Sequence, residues 1–154
     1  MKAVLIPGAN PAAAKKLFDM IKKQIPELEY IELSSASEPE LLRARPAGDF
    51  IIIGKSMGGK LALEYECKEK DSRALILLSP AVYYTEKYAS IKAKTLIVHG
   101  TADDVVPIEN SEKLAKTIEG ATLIKIEGGD HSYRGQENKV VDIIKNWLRE
   151  QGIF

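Results

Sequence analysis

Six short apolar runs, rich in β-branched residues, punctuate the chain at residues 3–6, 30–33, 50–53, 74–78, 95–98 and 123–126. Each is too short for a helix and apolar at both odd and even positions, a pattern that predicts strands covered on both faces in a mostly parallel sheet. Between most of them the apolar spacing changes to three and four. Asn10 and Pro11 start a first helix, whose Leu17, Ile21 and Ile25 recur four apart until Pro26 ends it. Ser37-Glu38-Pro39-Glu40 has capping-box spacing and opens a short second helix carrying Leu41 and Leu42, broken by Pro46 and Gly48. A third helix follows residues 50–53 directly, with Met57, Leu61 and Tyr65 predicted on its inner face. A fourth runs over about 107–118 and closes at Gly120, and a last one over about 137–150 turns Val140, Ile144, Trp147 and Leu148 inward.

Alternation of this kind predicts right-handed crossovers and a three-layer α/β/α sandwich, one domain over residues 1–154 with a mostly parallel sheet of about six strands. Such sheets carry their chemistry beyond the carboxyl ends of the strands. The segments to read are therefore Pro7-Gly8-Ala9-Asn10, Gly54-Lys55-Ser56-Met57-Gly58, Ser79-Pro80, His99 to Asp104, and Glu127-Gly128-Gly129-Asp130-His131.

Composition narrows the chemistry. With 45% apolar residues, a 154-residue chain needs neither disulfide nor metal to hold a core, since a globule of this size buries about 68–70% of its unfolded surface. Twenty-two basic residues balance 22 acidic ones, so the basic excess that a phosphate backbone demands is missing and nucleic acid is not an expected partner. No apolar run approaches the roughly 20 residues that span a bilayer, and only four apolar residues follow Met1-Lys2 before Pro7, so neither membrane nor export signal is expected. A single cysteine, Cys67, excludes an internal disulfide and any multi-cysteine metal site, and a cytoplasmic location is the expectation.

Gly54-Lys55-Ser56-Met57-Gly58 fits G-x-S-x-G in the context that motif needs, a strand before it and a helix after it. A sharp strand-to-helix turn would lift the Ser56 hydroxyl above the sheet, and flanking glycines would let the helix approach the strand. The competing phosphate loop fails, because Asp49 stands where its first glycine is required. No G-x-G-x-x-G follows the first strand either, so no dinucleotide cofactor is expected. A serine hydroxyl needs a base, and the chain offers only His99 and His131. His131, in a glycine-rich loop, is free to swing over the strand ends, whereas His99 ends an apolar strand and suits a structural hydrogen bond. The carboxylate that orients the base comes from Asp103 or Asp104, with Asp103 favoured, while Asp130 is better placed to shape its own turn. The chain order is then serine, acid, histidine.

Gly54-Lys55-Ser56-Met57-Gly58-Gly59, the stretch from His99 to Pro107, and Glu127-Gly128-Gly129-Asp130-His131-Ser132 resemble the nucleophile, acid and histidine loops of the α/β-hydrolase superfamily. Within it the chain is most similar to small, lidless members of the dienelactone-hydrolase-like and carboxylesterase-like type. The family pattern sets the acid four residues before a proline, which points to Asp103 ahead of Pro107. The resemblance implies a fold trimmed at its N-terminus relative to the usual eight strands, no cap domain in the short stretch 79–94, and an oxyanion hole from the backbone N–H groups of Ala9 and Met57. Both N–H groups would lie at helix starts, where free amides and the helix dipole favour negative charge.

These residues imply a serine hydrolase that cleaves small esters through an acyl-enzyme, with Ser56, Asp103 and His131 catalytic and no cofactor or metal. The alternatives are a thioesterase or another acyl hydrolase using the same triad, and a non-catalytic binding protein on the same fold. Asn10, Tyr83, Tyr84 and Tyr88 are the candidate pocket residues, and packing against the sheet is the competing role for the tyrosines.

Overall fold

The computed structural model describes all 154 residues, Met1–Phe154. Its six strands are β1 (Lys2–Ile6), β2 (Glu29–Glu32), β3 (Phe50–Lys55), β4 (Ala74–Leu78), β5 (Lys94–Gly100) and β6 (Thr122–Ile126). They form one all-parallel sheet in the order β2-β1-β3-β4-β5-β6. The helices are α1 (Lys15–Gln24), α2 (Glu38–Ala44), α3 (Met57–Glu69), α4 (Ile108–Thr117) and α5 (Glu137–Glu150), with 3-10 turns at Pro11–Ala14 and Glu86–Ser90.

Strand alternation divides the core in two. Ile51 and Ile53 of β3, with Ala74, Ile76 and Leu78 of β4, face a core built by Leu17, Phe18 and Ile21 of α1 and Val140, Ile144 and Trp147 of α5. Phe50, Ile52, Leu75 and Leu77 face the opposite way, toward Leu41 of α2, Ala62 and Leu63 of α3, and Leu114 of α4. The predicted three-layer α/β/α sandwich is therefore present, with every residue of the central strands β3 and β4 buried.

Four local expectations change. The strand runs 30–33 and 123–126 belong to the sheet edges, and although Leu33 and Ile126 are buried, Tyr30, Ile31, Leu123 and Ile124 are only partly covered and Glu32 and Lys125 are exposed, rather than buried on both faces. Asn10 makes no side-chain cap bond, because the chain first forms the 3-10 turn Pro11–Ala14 and α1 starts only at Lys15. Ser37 does cap α2, accepting from the Glu40 N–H at 3.3 Å, but the Glu40 carboxylate turns away to bind the Ser34 N–H and hydroxyl, so the capping box is half formed. On α3 the buried positions are Gly58, Gly59, Ala62, Leu63, Tyr65 and Glu66, while Met57 is exposed. The first turn of that helix lies against the sheet on its glycines, which rotates the expected stripe.

No helix is long and apolar enough to cross a membrane. The stretch from Ser79 to Ala93 holds only the short 3-10 turn, with no inserted cap.

Candidate active site

Ser56 stands between β3 and α3 with φ 55° and ψ −116°, a left-handed conformation that an L-residue holds only under tertiary constraint, at a cost of order 1–3 kcal/mol. The constraint is visible in the hydrogen bonds. The Ser56 N–H donates to the Leu78 carbonyl at 2.9 Å, and its own carbonyl accepts from the N–H groups of Ala81 at 3.0 Å, Gly59 at 3.0 Å and Lys60 at 3.2 Å. A Cβ at Gly58 would lie 2.1 Å from the Ile6 carbonyl oxygen, so only glycine lets α3 close against the end of β1.

His131 reaches this serine from the loop after β6. Its Nε2 lies 3.0 Å from Ser56 Oγ and its Nδ1 lies 2.7 Å from Asp103 Oδ2. A carboxylate only accepts, so Nδ1–H donates to Asp103 and Nε2 is left to accept the serine hydroxyl. The Asp103 carboxylate is wholly buried, whereas the His131 ring keeps 16% exposure. Oδ1 of Asp103 accepts from the N–H groups of Val105 and Val106, both at 2.8 Å. Burial pushes the Asp103 carboxyl up, but those backbone donors and the His131 imidazole outweigh it and hold it below the ordinary carboxylate value. Asp104, by contrast, is exposed. Asp130 folds back on its own turn, accepting from the N–H groups of Ser132 at 3.1 Å and Arg134 at 3.0 Å.

His99 is buried and takes the structural role. Its Nε2–H donates to the Val106 carbonyl at 2.9 Å and its Nδ1 accepts from the Ser111 hydroxyl at 2.6 Å. Nε2 also approaches Asp103 Oδ2 to 3.2 Å, so the acid is flanked by two imidazoles. Burial lowers the His99 basicity, against the raising effects of Val106 and Asp103, and the ring stays neutral below its usual range.

Ser79 and Tyr133 support the histidine loop, Ser79 from the Ser79-Pro80 segment after β4 and Tyr133 with no signal in the sequence. The Ser79 hydroxyl lies 2.7 Å from the Tyr133 oxygen and 3.1 Å from the His131 carbonyl, and the Tyr133 hydroxyl donates to the Val98 carbonyl at 2.7 Å. Both residues are fully buried with positive φ. The acid and histidine loops also meet through glycine: Ala102 N–H donates to the Gly129 carbonyl at 2.9 Å, and a Cβ at Gly100 would fall 2.1 Å from that same oxygen. Lys55, the residue before the serine, is 3% exposed. As the last residue of β3 its side chain continues the alternation into the sheet face, where burial pushes the ammonium below its ordinary value against the pull of Asp103 and Asp130.

The loop after β1 passes directly over the serine, since a Cβ on Gly8 would lie 3.6 Å from Ser56 Oγ. Ala9 follows it at the surface, and Met57 is the first residue of α3. Neither N–H donates to another backbone carbonyl. Asn10 is exposed one residue further on. Tyr83 and Tyr84 are 59% and 81% exposed, but Tyr88 is fully buried, its ring in the core on the α3 face and its hydroxyl donating to Glu64 at 2.8 Å. Tyr88 thus packs in the core, the competing role for the tyrosines. No group of three or more His, Cys, Asp or Glu side chains is placed to hold a metal ion.

Comparison with known proteins agrees with this arrangement at the level of fold and family. Residues 18–139 match the model of a family described as the alpha/beta hydrolase family. A proline iminopeptidase, PfmaB of Pestalotiopsis fici, is 41% identical over 58 residues, which cover 38% of this chain and 21% of that protein, so the chain spans about a fifth of this curated relative. Among solved structures, a predicted CIB-like hydrolase from Thermoplasma acidophilum superposes with a TM-score of 0.81 at 24% identity, over 97% of this chain and 86% of that one. Est1E from Butyrivibrio proteoclasticus superposes with a TM-score of 0.83 at 17% identity, over 99% and 88% of the respective chains. An esterase from Exiguobacterium antarcticum gives 0.78 at 17% identity, over 97% and 92%.

Proposed function

The chain belongs to the alpha/beta hydrolase family, and from that premise we propose that it is a serine hydrolase cleaving small carboxylic esters through an acyl-serine intermediate. One observation carries the reading: the unbroken line from Ser56 Oγ to His131 Nε2 at 3.0 Å and from His131 Nδ1 to Asp103 Oδ2 at 2.7 Å. His131 takes the hydroxyl proton as Ser56 Oγ attacks the ester carbonyl, and Asp103 fixes the tautomer that makes this possible and stabilises the imidazolium. The carbonyl oxygen, now negative, is held by the unengaged N–H groups of Ala9 and Met57, each such donor being worth about 2.7–4 kcal/mol in a measured protease. Collapse of the adduct breaks the ester C–O bond, and His131 returns its proton to the leaving alkoxide. Water then attacks the acyl-serine, giving its proton to His131, and the acid product leaves as the hydroxyl is regenerated. Thioesters pass through the same steps with a thiolate leaving group.

Labelling with a fluorophosphonate tests the proposal. Wild type is expected to take up one equivalent at Ser56, whereas Ser56→Ala takes up none and loses up to about 10⁶ in kcat on nitrophenyl esters. Labelling of neither protein would leave only a binding role for the fold.

A further inference from the structure

Strand β4 lies between the strands that carry Ser56 and Asp103 and contributes no member of the triad, yet its carboxyl end holds two of them. The Ser56 N–H donates to the Leu78 carbonyl at 2.9 Å, and the Ser56 carbonyl accepts from the Ala81 N–H at 3.0 Å, so residues 78–81 grip the nucleophile by its backbone. Ser79 belongs to the same short segment, and its hydroxyl lies 3.1 Å from the His131 carbonyl. No backbone N–H donates to that carbonyl, which makes Ser79 its donor within the protein.

The protons of this cluster are assigned one by one. The Val98 carbonyl, on β5, accepts from the Ser79 N–H at 2.9 Å and from the Tyr133 hydroxyl at 2.7 Å. A carbonyl only accepts, so the phenol has its single proton engaged there, and its oxygen accepts from the Ser79 hydroxyl 2.7 Å away. The Ser79 proton therefore serves two acceptors, the Tyr133 oxygen and the His131 carbonyl. Ser79 and Tyr133 are each 0% exposed, so solvent does not compete for these bonds. Backbone strain marks the same residues: Ser79 and Tyr133 have φ of 48° and 58°, and with Ser56 they make three of the four non-glycine residues at positive φ, the fourth being Lys70 at the end of α3. Strain of this kind persists only where the surroundings impose it.

We infer that Ser79 is a positioning residue for the hydrolytic reaction. Its hydroxyl ties the base to the segment whose backbone holds the nucleophile, and so sets the 3.0 Å separation of His131 Nε2 from Ser56 Oγ. Tyr133 orients that hydroxyl and anchors the loop two residues beyond the histidine. The inference rests on the triad working as a serine hydrolase.

Ser79→Gly is the deciding variant, because glycine adopts a positive φ freely and the hydroxyl is lost without added backbone strain. Its kcat on p-nitrophenyl acetate is expected to fall by about 10², the cost of displacing a catalytic group by about an ångström, with KM within about twofold of wild type. Ile144→Val, a small truncation in the α5 core, should keep the wild-type kcat while the protein stays folded by circular dichroism. Wild-type kcat in Ser79→Gly overturns the inference, whatever its Tm. Tyr133→Phe leaves the Ser79 hydroxyl the His131 carbonyl as acceptor and should lose less kcat than Ser79→Gly; the reverse order would move the anchor to Tyr133 and overturn the assignment. A second readout needs no turnover. The His131 Nδ1–H proton, on its 2.7 Å bond to Asp103, is followed by NMR, and its resonance should shift or broaden in Ser79→Gly and stay in place in Ile144→Val. If wild type neither hydrolyses esters nor takes up fluorophosphonate, the hydrolase reading falls, while a resonance that moves in Ser79→Gly still supports the tie. An unmoved resonance in Ser79→Gly overturns the inference in either case.

Discussion

At the scale of single residues, the arrangement turns on which of two adjacent carboxylates reaches the imidazole. Asp103 is sealed between two N–H donors and two histidines, while Asp104 projects into solvent. Asp103→Asn is therefore expected to lower kcat by about 10⁴, because an amide stabilises the wrong tautomer of His131, with Asp104→Asn within about twofold of wild type. Steady-state kinetics on one nitrophenyl ester decides it, and the opposite ranking would reassign the acid. His99 makes a prediction about stability instead. Its proton affinity is lowered in the fold by burial, so as pH falls below the ordinary histidine value of 6.5 the unfolded chain gains a proton that the folded one refuses. Stability is then lost with acidification from that point downward, and His99→Gln should lose less of its Tm between pH 7 and 5 than wild type does. Parallel declines, followed by circular dichroism, would remove His99 from the account.

At the scale of elements, the strands and helices were largely legible because short runs apolar at every position in β3 and β4 differ plainly from the three-and-four spacing of α5. The errors fall where tertiary context decides. Nothing local distinguishes the edge runs around Tyr30 and Leu123 from the central ones, since coverage of a strand depends on sheet order, and sheet order is not written in any one segment. Ser56, Asp103 and His131 were each legible from their position just after a strand. The burial of Ser79 and Tyr133 was not, because a burial that comes from loop packing leaves no periodic trace. The joint between the acid and histidine loops is one such loop contact. A Cβ at Gly100 would lie 2.1 Å from the Gly129 carbonyl, backbone against backbone, and one loop must move. Gly100→Ala is expected to cost about 1–3 kcal/mol in overpacking, a fall in Tm of roughly 2–12 °C at 2–4 °C per kcal/mol. If the displacement carries His131 by about an ångström, kcat should fall by roughly 10² as well, since catalytic geometry tolerates little misplacement. A variant that loses stability with kcat intact would show that the histidine loop is held by Ser79 and Tyr133 alone.

At the scale of the whole molecule, the sheet is shared property. Each central strand contributes alternate side chains to the α1 and α5 core and to the α2, α3 and α4 core, so neither core can open while the other keeps its strands. The site spans the same sheet, taking its serine from the end of β3, its acid from the end of β5 and its histidine from beyond β6, next to the last helix. These three residues converge only while strands β3, β4, β5 and β6 stay in register, with no inserted cap to hold them otherwise. One cooperative transition follows as the expectation for such an arrangement. The chain supplies its own reporter for one half, because its single tryptophan, Trp147, lies on α5 in the first core. Urea titrations read by Trp147 fluorescence, by far-ultraviolet circular dichroism and by residual ester hydrolysis should share one midpoint. A loss of hydrolysis at lower urea than the other two probes would place the histidine loop outside the cooperative unit. Separation of the fluorescence and circular dichroism midpoints would mean instead that the two cores unfold apart, and that the strands between them do not couple the halves as their alternation requires.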